Sequence, residues 1–596
     1  MGAARRRSSA KCKRPVLTLN ALIGGWGPYQ WNIFMFDITV QLITMANVLT
    51  LAFMAPKVDF ICNDYATSQS GSNLTTAAPD PLVSPLQYHN VPGYMKCYHS
   101  SPSVENSPCS SFTFDSSTYG RTLTSEFELI CDNSYLPSLS QSLYVLGYFI
   151  ASIVAGYYSD RYGRKPVLWI SVIGELVFGL TCTFTYSMWF FMIGRFLLGV
   201  AVYATFMTAY TMVMEVAGTD ERTVYGPLAR VGRSIGVIVI TIISYYVRDF
   251  RYIQLAVTLP TIFWLYWLTR IPESPRWLLI KGKIDECVIV VEKAVTLNGI
   301  DLNEVRVTDI RSEIERMYVS IQSSRTQAEG EKKNMTILDL FRTPVMRRNS
   351  IIMCFNWFIT VFIYYALSLN VQDLGGNLYV NFFISGLVEI PSIILCIYAL
   401  KKSGRRIILS SSMIALFLAS AISIPFFFVE FSGSVATRVS LAMIGKFAAT
   451  IAFSLNYLYS TEIYPTEIRQ VGLGFNSAAS RLGSMISPFI KELNEFTHVS
   501  VSMGLFGLTS LINAVLVMML PETRDCNIPD TIEQVEVRAK QARNDHTDHV
   551  KELADAKRKK EAANAVAIIG DKTVTTIQMN GVRDKHSGLT DRNSIH

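Results

Sequence analysis

Ser159-Asp-Arg-Tyr-Gly-Arg-Lys165 is a short basic phrase between two apolar runs, and the chain repeats it as Lys401-Lys-Ser-Gly-Arg-Arg406. Other phrases repeat in the same order at a similar interval. Ile193-Gly-Arg-Phe196 returns as Ile444-Gly-Lys-Phe447, and Ile271-Pro-Glu-Ser274 returns as Leu520-Pro-Glu-Thr523. Glu215, followed seven residues on by Arg222, returns as Glu462 followed seven residues on by Arg469. Repeats of this kind, set among apolar spans, mark a membrane chain built from two related halves with a site between them.

The composition points the same way. Of 596 residues, 50% are hydrophobic and 17% charged, with a mean hydropathy of +0.28. A soluble chain of this length needs several domains and far more surface charge. Crossing hydrocarbon about 30 Å thick takes about 20 apolar residues in a helix. Such runs fall at 33–54, 139–158, 166–186, 189–213, 228–247 and 252–271, here spans 1 to 6. Spans 7 to 12 follow at 349–369, 378–400, 406–429, 437–460, 470–490 and 498–520. The expected fold is an all-α membrane protein with twelve transmembrane helices in two six-helix halves, 33–271 and 349–520. Outside the membrane remain a cytoplasmic segment 1–32, an outer loop 55–138, a central loop 272–348 and a partly disordered tail 521–596.

Basic residues orient the bundle, because cytoplasmic loops collect Lys and Arg. They concentrate in the head (Arg5, Arg6, Arg7, Lys11, Lys13, Arg14) and in loops 2–3 and 8–9, so both termini are expected in the cytoplasm. The net charge of +7 then reports topology and not nucleic-acid binding. The loop 55–138 holds Cys62, Cys97, Cys109 and Cys131, an even set in an oxidising compartment, which implies two disulfides with three pairings open. Asn73-Leu-Thr in the same loop is an expected glycosylation acceptor, whereas Asn334-Met-Thr falls on the cytoplasmic side and should stay bare. Amphipathic stretches at 284–297 and 303–319 read as short surface helices.

Gly156-x3-Asp160-x2-Gly163-Arg164-Lys165 joins spans 2 and 3. The tight turn needs glycine, and Asp160 can pair with a basic residue or a helix N-terminus. Together with Arg405, Glu215, Glu462 and Arg469, these residues are expected to form a charge clasp that works a cytoplasmic gate. With Pro272-Glu-Ser-Pro-Arg-Trp-Leu278 and Glu462-Ile-Tyr-Pro-Thr-Glu-Ile-Arg469, the pattern resembles the major facilitator superfamily. The cysteine-bearing loop after span 1 and the long loop after span 6 are similar to its organic cation, carnitine and organic anion transporter family, over about Gly24 to Glu533. The resemblance implies alternating access and a central cavity for small organic ions. It also implies a carrier and not an enzyme. Gly282-Lys283 and Gly445-Lys446 lack the following Ser or Thr of a phosphate-binding loop, and no metal or nucleophile constellation appears.

Intramembrane charges are where the cargo should be read. Arg481 lies 11 residues into span 11, about 16 Å deep at ~1.5 Å per residue. Ser477, Ser484 and Pro488 share its helical face. Glu389 reaches a similar depth in span 8, and Asn356, Thr360 and Tyr364 form a polar stripe on span 7. Tyr203, Phe206 and Tyr210 line one side of span 4, while Lys446 and Arg195 hold matching places in spans 10 and 4, which points to a shared structural role. In the family, the position of Arg481 is aspartate in cation-selective members and arginine in carnitine and anion members. The stretch Ala479-Ser-Arg-Leu-Gly-Ser-Met-Ile-Ser-Pro488 resembles the carnitine branch, and Ile393 stands where anion members carry a lysine.

The expected cargo is therefore a small zwitterion or organic cation, carnitine-like or quaternary ammonium, carried across the plasma membrane. Arg481 would hold its carboxylate, Tyr364 with Glu389 would face its ammonium, and Asn356, Tyr210 and Ser477 are further substrate-binding candidates. No cofactor is expected, and sodium or a proton would couple transport. The alternatives are an organic anion exchanger on the same fold, or a non-transporting membrane sensor. The expected partners are a small organic ion and the lipid bilayer, with no nucleic acid; the oligomeric state is left open.

Overall fold

The protein is described by a computed structural model over residues 19–24, 26–62, 97–101, 104–109, 111–115, 119–218, 225–226, 228–299, 307–329, 336–429, 433–524, 529 and 531–541. Asn73 and Arg222 lie outside these residues, as does the side chain of Cys62.

Among the described residues, nine helices are long and apolar enough to cross a membrane. They are spans 1 to 4 and 7 to 10, with span 12. Span 1 runs Pro28–Met54, span 2 Leu136–Tyr162, span 3 Arg164–Phe184 and span 4 Met188–Val216. Span 7 runs Pro344–Leu369, span 8 Leu378–Lys402, span 9 Arg405–Ser423, span 10 Ser434–Ile463 and span 12 Val499–Met518. The other three expected spans are helical but interrupted or polar. Span 5, Val231–Tyr246, is short. Span 6 is split into Phe250–Thr258 and Thr261–Arg270 on either side of Pro260, whose ring removes a backbone donor. Span 11, Arg469–Ile486, passes through the tight turn Ser487–Phe489 into Ile490–Phe496, because Pro488 cannot continue the ladder. Its glycines, serines and arginine dilute the apolar signal.

Close packing inside each half comes from small residues, which let helix backbones approach in a solvent that offers no hydrophobic drive. A Cβ on Gly232 of span 5 would stand 2.6 Å from the Ile38 carbonyl oxygen of span 1, and one on Gly483 of span 11 would stand 2.5 Å from that of Phe358 in span 7. Between the halves, span 5 packs on span 8 and span 2 on span 11. At the outer face the seam is tied by polar bonds. Ser138 Oγ donates to Glu492 Oε1 at 2.6 Å, Ser142 Oγ donates to the Met485 carbonyl at 2.6 Å, and Lys57 pairs with Asp373 at 3.0 Å. Burial among these outer groups pushes the Glu492 carboxyl above its ordinary value.

The outer loop adds two short antiparallel ribbons, Phe60–Cys62 with Phe112–Phe114 and Tyr98–Ser101 with Val104–Pro108. Cys97 and Cys131 are brought side by side. At the opposite end of the bundle, helices Pro275–Lys281, Ile284–Leu297 and Val307–Glu329 sit under the N-terminal half. Asn298 fastens them: it accepts from the Tyr29 amide at 3.1 Å and donates to Ile23 O and Gln30 Oε1, each at 3.0 Å. The beginning of the tail is helical, over 532–541, and Ile532 and Val535 pack with Leu340, Met346, Tyr464 and Ile468 under the C-terminal half.

Candidate functional site

The repeated phrases converge into one construction made twice. In the first half, Arg164 at the start of span 3 pairs with Glu215 of span 4 at 2.7 Å and with Asp160 of span 2 at 2.8 Å. Glu273, from the Pro-Glu-Ser phrase after span 6, accepts the exposed amides of Arg164 and Lys165 at 3.0 and 3.1 Å, as a carboxylate does at a helix N-terminus. Gly163 has φ +114°, and a Cβ there would lie 2.5 Å from Glu273 Oε2, so glycine is required twice over. In the second half, Arg405 pairs with Glu462 at 3.0 Å, and Glu522 of the Pro-Glu-Thr phrase accepts the amides of Arg405 and Arg406 at 2.8 and 3.2 Å.

Each clasp joins elements of one half. These charges brace the rim of each half from within. Arg469 stays out of the second clasp, because it closes its own turn through the Tyr464 carbonyl at 3.3 Å and Thr466 Oγ1 at 3.1 Å.

Between the halves lies a cavity of about 130 Å³, walled by spans 1, 2, 4, 5, 7, 8, 10 and 11. That space holds far more than one water molecule, which occupies roughly 10–15 Å³ on the same measure. Three arginines reach it. Arg481 of span 11 donates to Tyr203 Oη at 2.7 Å and lies 4.5 Å from the ring centroid of Tyr203. Arg233 of span 5 donates to Tyr365 Oη at 3.3 Å. Arg230, just before span 5, lies 5.1 Å from the ring of Phe453 and 5.8 Å from that of Tyr457. Phenols and aromatic faces hold these guanidiniums, and no carboxylate pairs with any of them among the described residues.

The acid on the cavity wall, Glu389, is already engaged. Its carboxylate pairs with Lys446 Nζ at 3.1 Å and accepts from Tyr364 Oη at 3.0 Å and Ser234 Oγ at 3.1 Å. Lys446 also donates to Ser385 Oγ. Burying both charges is tolerable only because each has its partner and further hydrogen bonds. The matching residue of the first half, Arg195, is fully buried with neutral partners: the Asn47 carbonyl at 3.1 Å, Gln141 Oε1 at 2.8 Å and the Tyr144 ring at 4.3 Å. Both residues thus bolt span 4 or 10 to its neighbours.

Of the residues expected at the substrate, Arg481, Glu389, Tyr364 and Tyr210 share the cavity wall. Asn356 does not line it. Its amide is spent on Asn456 at 2.8 Å and Asn513 at 3.0 Å, a buried network joining spans 7, 10 and 12. Ser477 is also off the wall, and its neighbour Ser480 stands there instead, because the cavity meets span 11 on the side of Ser480 and Arg481. Arg230 and Arg233 were missed. At the cytoplasmic edge of a span, arginine reads as a positive-inside signal; their spacing of three, which puts both on one helical face, was the available clue.

Residues 136–488 match the family described as Major Facilitator Superfamily. The chain is 32% identical over 530 residues to the "Organic cation transporter protein" of Drosophila melanogaster, covering 86% of this chain and 93% of that one. It is 32% identical to "Solute carrier family 22 member 3" of Mus musculus over 70% of this chain and 72% of that one. It is 30% identical to "Solute carrier family 22 member 6-A" of Xenopus laevis, covering 90% and 96%. The fold is also similar to the xylose transporter of E. coli in its inward-open conformation, with a TM-score of 0.57, 16% identity and coverage of 85% and 99%. The chain is a multi-pass membrane transporter and not an enzyme, and it belongs to the major facilitator superfamily, among the organic cation and anion transporters of solute carrier family 22.

Proposed function

We propose that this transporter carries small organic ions bearing a carboxylate, by alternating access across the plasma membrane, with both termini cytoplasmic. The observation that carries this reading is the charge balance of the cavity. Arg230, Arg233 and Arg481 face it without a carboxylate partner among the described residues, while the acid on its wall, Glu389, is neutralised by Lys446. A guanidinium offers paired donors that match a carboxylate, and aromatic walls of Tyr148, Tyr203 and Phe206 suit a ring or alkyl body. An organic anion is therefore the first choice. A carnitine-like zwitterion is the second, favoured by Tyr364 and Glu389 standing on the same wall as Arg481. The outer loop fits a disulfide-closed, glycosylated cap, with Cys97 joined to Cys131 and a glycan on Asn73.

Uptake of radiolabelled p-aminohippurate, carnitine and tetraethylammonium into transfected cells tests the order. The expected result is p-aminohippurate entry that falls at least tenfold in Arg481→Ala, with little tetraethylammonium entry. Carnitine entry with no p-aminohippurate entry would promote the zwitterion. Tetraethylammonium entry alone, indifferent to Arg481→Ala, would sink the carboxylate reading.

A further inference from the structure

The bonds that link the halves across the cavity include a crossed pair. Arg481 of span 11 donates from Nη2 to the phenol of Tyr203 on span 4 at 2.7 Å. In the opposite sense, Arg233 of span 5 donates from Nη2 to the phenol of Tyr365 on span 7 at 3.3 Å. Each half thus extends one guanidinium to a phenol of the other. Both phenols are buried, Tyr203 at 2% and Tyr365 at 4% exposure, and all four side chains line the cavity. A third bond at this level, from Ser234 Oγ to Glu389 at 3.1 Å, involves no arginine.

Both arginines use the same nitrogen. A guanidinium can offer a carboxylate two forks, Nε with Nη2 or Nη1 with Nη2, and Nη2 belongs to both. A phenol on Nη2 therefore competes with a carboxylate for the arginine. In Arg481 the Nε is buried without a hydrogen-bond partner among the described residues, so one nitrogen of that fork is free and the other is bonded to Tyr203. A carboxylate is the stronger acceptor, because hydrogen bonds between ions are about twice as strong as neutral ones. The phenol still matters when no carboxylate is present. Halves that close over a guanidinium with no acceptor bury a bare ion, which is strongly unfavourable.

We propose that Tyr203 and Tyr365 are positioning residues that stand in for the cargo carboxylate. They hold Arg481 and Arg233 while the carrier closes and returns without cargo, and they give up the guanidiniums when a carboxylate arrives. This rests on the carboxylate reading above. Two consequences follow, of opposite sign. The phenols oppose cargo binding, since a bond to each must be surrendered. They also speed the return of the unloaded carrier, a step that exchange of one cargo molecule for another does not use.

The test uses the purified full-length chain with p-aminohippurate as the probe. Equilibrium binding is measured in detergent. Two fluxes are measured in proteoliposomes: net entry into probe-free vesicles, which needs the unloaded carrier to return, and exchange of labelled for unlabelled probe, which does not. Tyr203→Phe and Tyr365→Phe keep the rings and remove only the hydroxyls. Tyr203→Phe should tighten binding about tenfold and slow net entry by about the same factor, the worth of one hydrogen bond to a charged group. Tyr365→Phe should do the same to a smaller extent, because its bond is longer. Exchange should stay near the wild-type rate in both. Ser234→Ala, which cuts a bond between the halves that involves no arginine, should not tighten binding.

The inference is overturned if both phenylalanine variants bind the probe more weakly, which would make the phenols direct cargo contacts. It is overturned if net entry and exchange fall together, which would mark a structural role, or if net entry is unchanged. Tightening by Ser234→Ala equal to that of Tyr203→Phe would also overturn it, since loosened halves would then explain the gain. So would wild type that exchanges probe but shows no net entry. Wild type that passes neither p-aminohippurate nor carnitine refutes the substrate reading itself, an outcome distinct from all of these.

Discussion

Arg195 in the first half and Lys446 in the second occupy the same place in the repeat, yet they are held by different means. Arg195 is surrounded by a carbonyl, a carboxamide and a tyrosine ring, all neutral. Lys446 is paired with a carboxylate, Glu389, on the cavity wall. The clasps, by contrast, are nearly the same in both halves, with Arg164–Glu215 at 2.7 Å and Arg405–Glu462 at 3.0 Å. Duplication has thus kept the bracing of each half and let the centre diverge. Symmetric parts brace each half, and asymmetric parts line the cavity between the halves.

The largest effect should come from breaking the asymmetric pair. Lys446→Met leaves the Glu389 carboxylate buried without its ion, which costs about 3–5 kcal/mol when a buried pair loses one partner. Arg195→Met strands only neutral groups, each costing about 1–3 kcal/mol if left unsatisfied. Thermal unfolding in detergent should therefore show the greater loss for Lys446→Met, and adding Glu389→Gln should recover most of it. Equal losses in the two variants, with no recovery, would show that the pair's charge is immaterial.

The clasps give a smaller contrast, at their glycines. Gly163 has φ +114°, so alanine there suffers backbone strain of about 1–3 kcal/mol as well as contact with Glu273. Gly404 has φ −70°, so alanine meets only the Glu522 carboxylate. Gly163→Ala should lower the unfolding temperature more than Gly404→Ala, and Glu522→Ala, which removes the carboxyl group that the new methyl meets, should relieve Gly404→Ala without helping the backbone at 163. A larger loss at Gly404 would contradict the assignment of strain to the first clasp.

The fold was legible because its signals are long and redundant: apolar runs of membrane length, basic loops and four repeated phrases all agree. Arg481 was legible at the site because it sits far from either end of its span. The burial of Asp37 was not legible, for a geometric reason. The apolar run starts at 33, which puts Asp37 at the membrane edge, whereas the helix starts at Pro28 and carries it about 14 Å along the axis at ~1.5 Å per residue. Asn356 failed differently. A polar stripe on a helix states that one face is polar, and leaves open whether water, a ligand or other helices lie against it. Here Asn456 and Asn513 do.

That last distinction yields the smallest expected effect and a test of which stripe is cargo-facing. Ser480 lines the cavity beside Arg481, and its hydroxyl donates to the Ser477 carbonyl at 2.6 Å. Ser477 itself is off the wall. Ser480→Ala removes a polar atom next to the proposed carboxylate site, so KM for p-aminohippurate should rise about threefold, roughly the worth of one neutral hydrogen bond. Ser477→Ala should leave KM unchanged, and Asn356→Ala should lower the unfolding temperature without moving KM, since its partners are helices and not substrate. A KM shift at Ser477 larger than at Ser480 would mean that span 11 turns a different face to the cargo, and would return the site to the polar stripe that spacing alone implies.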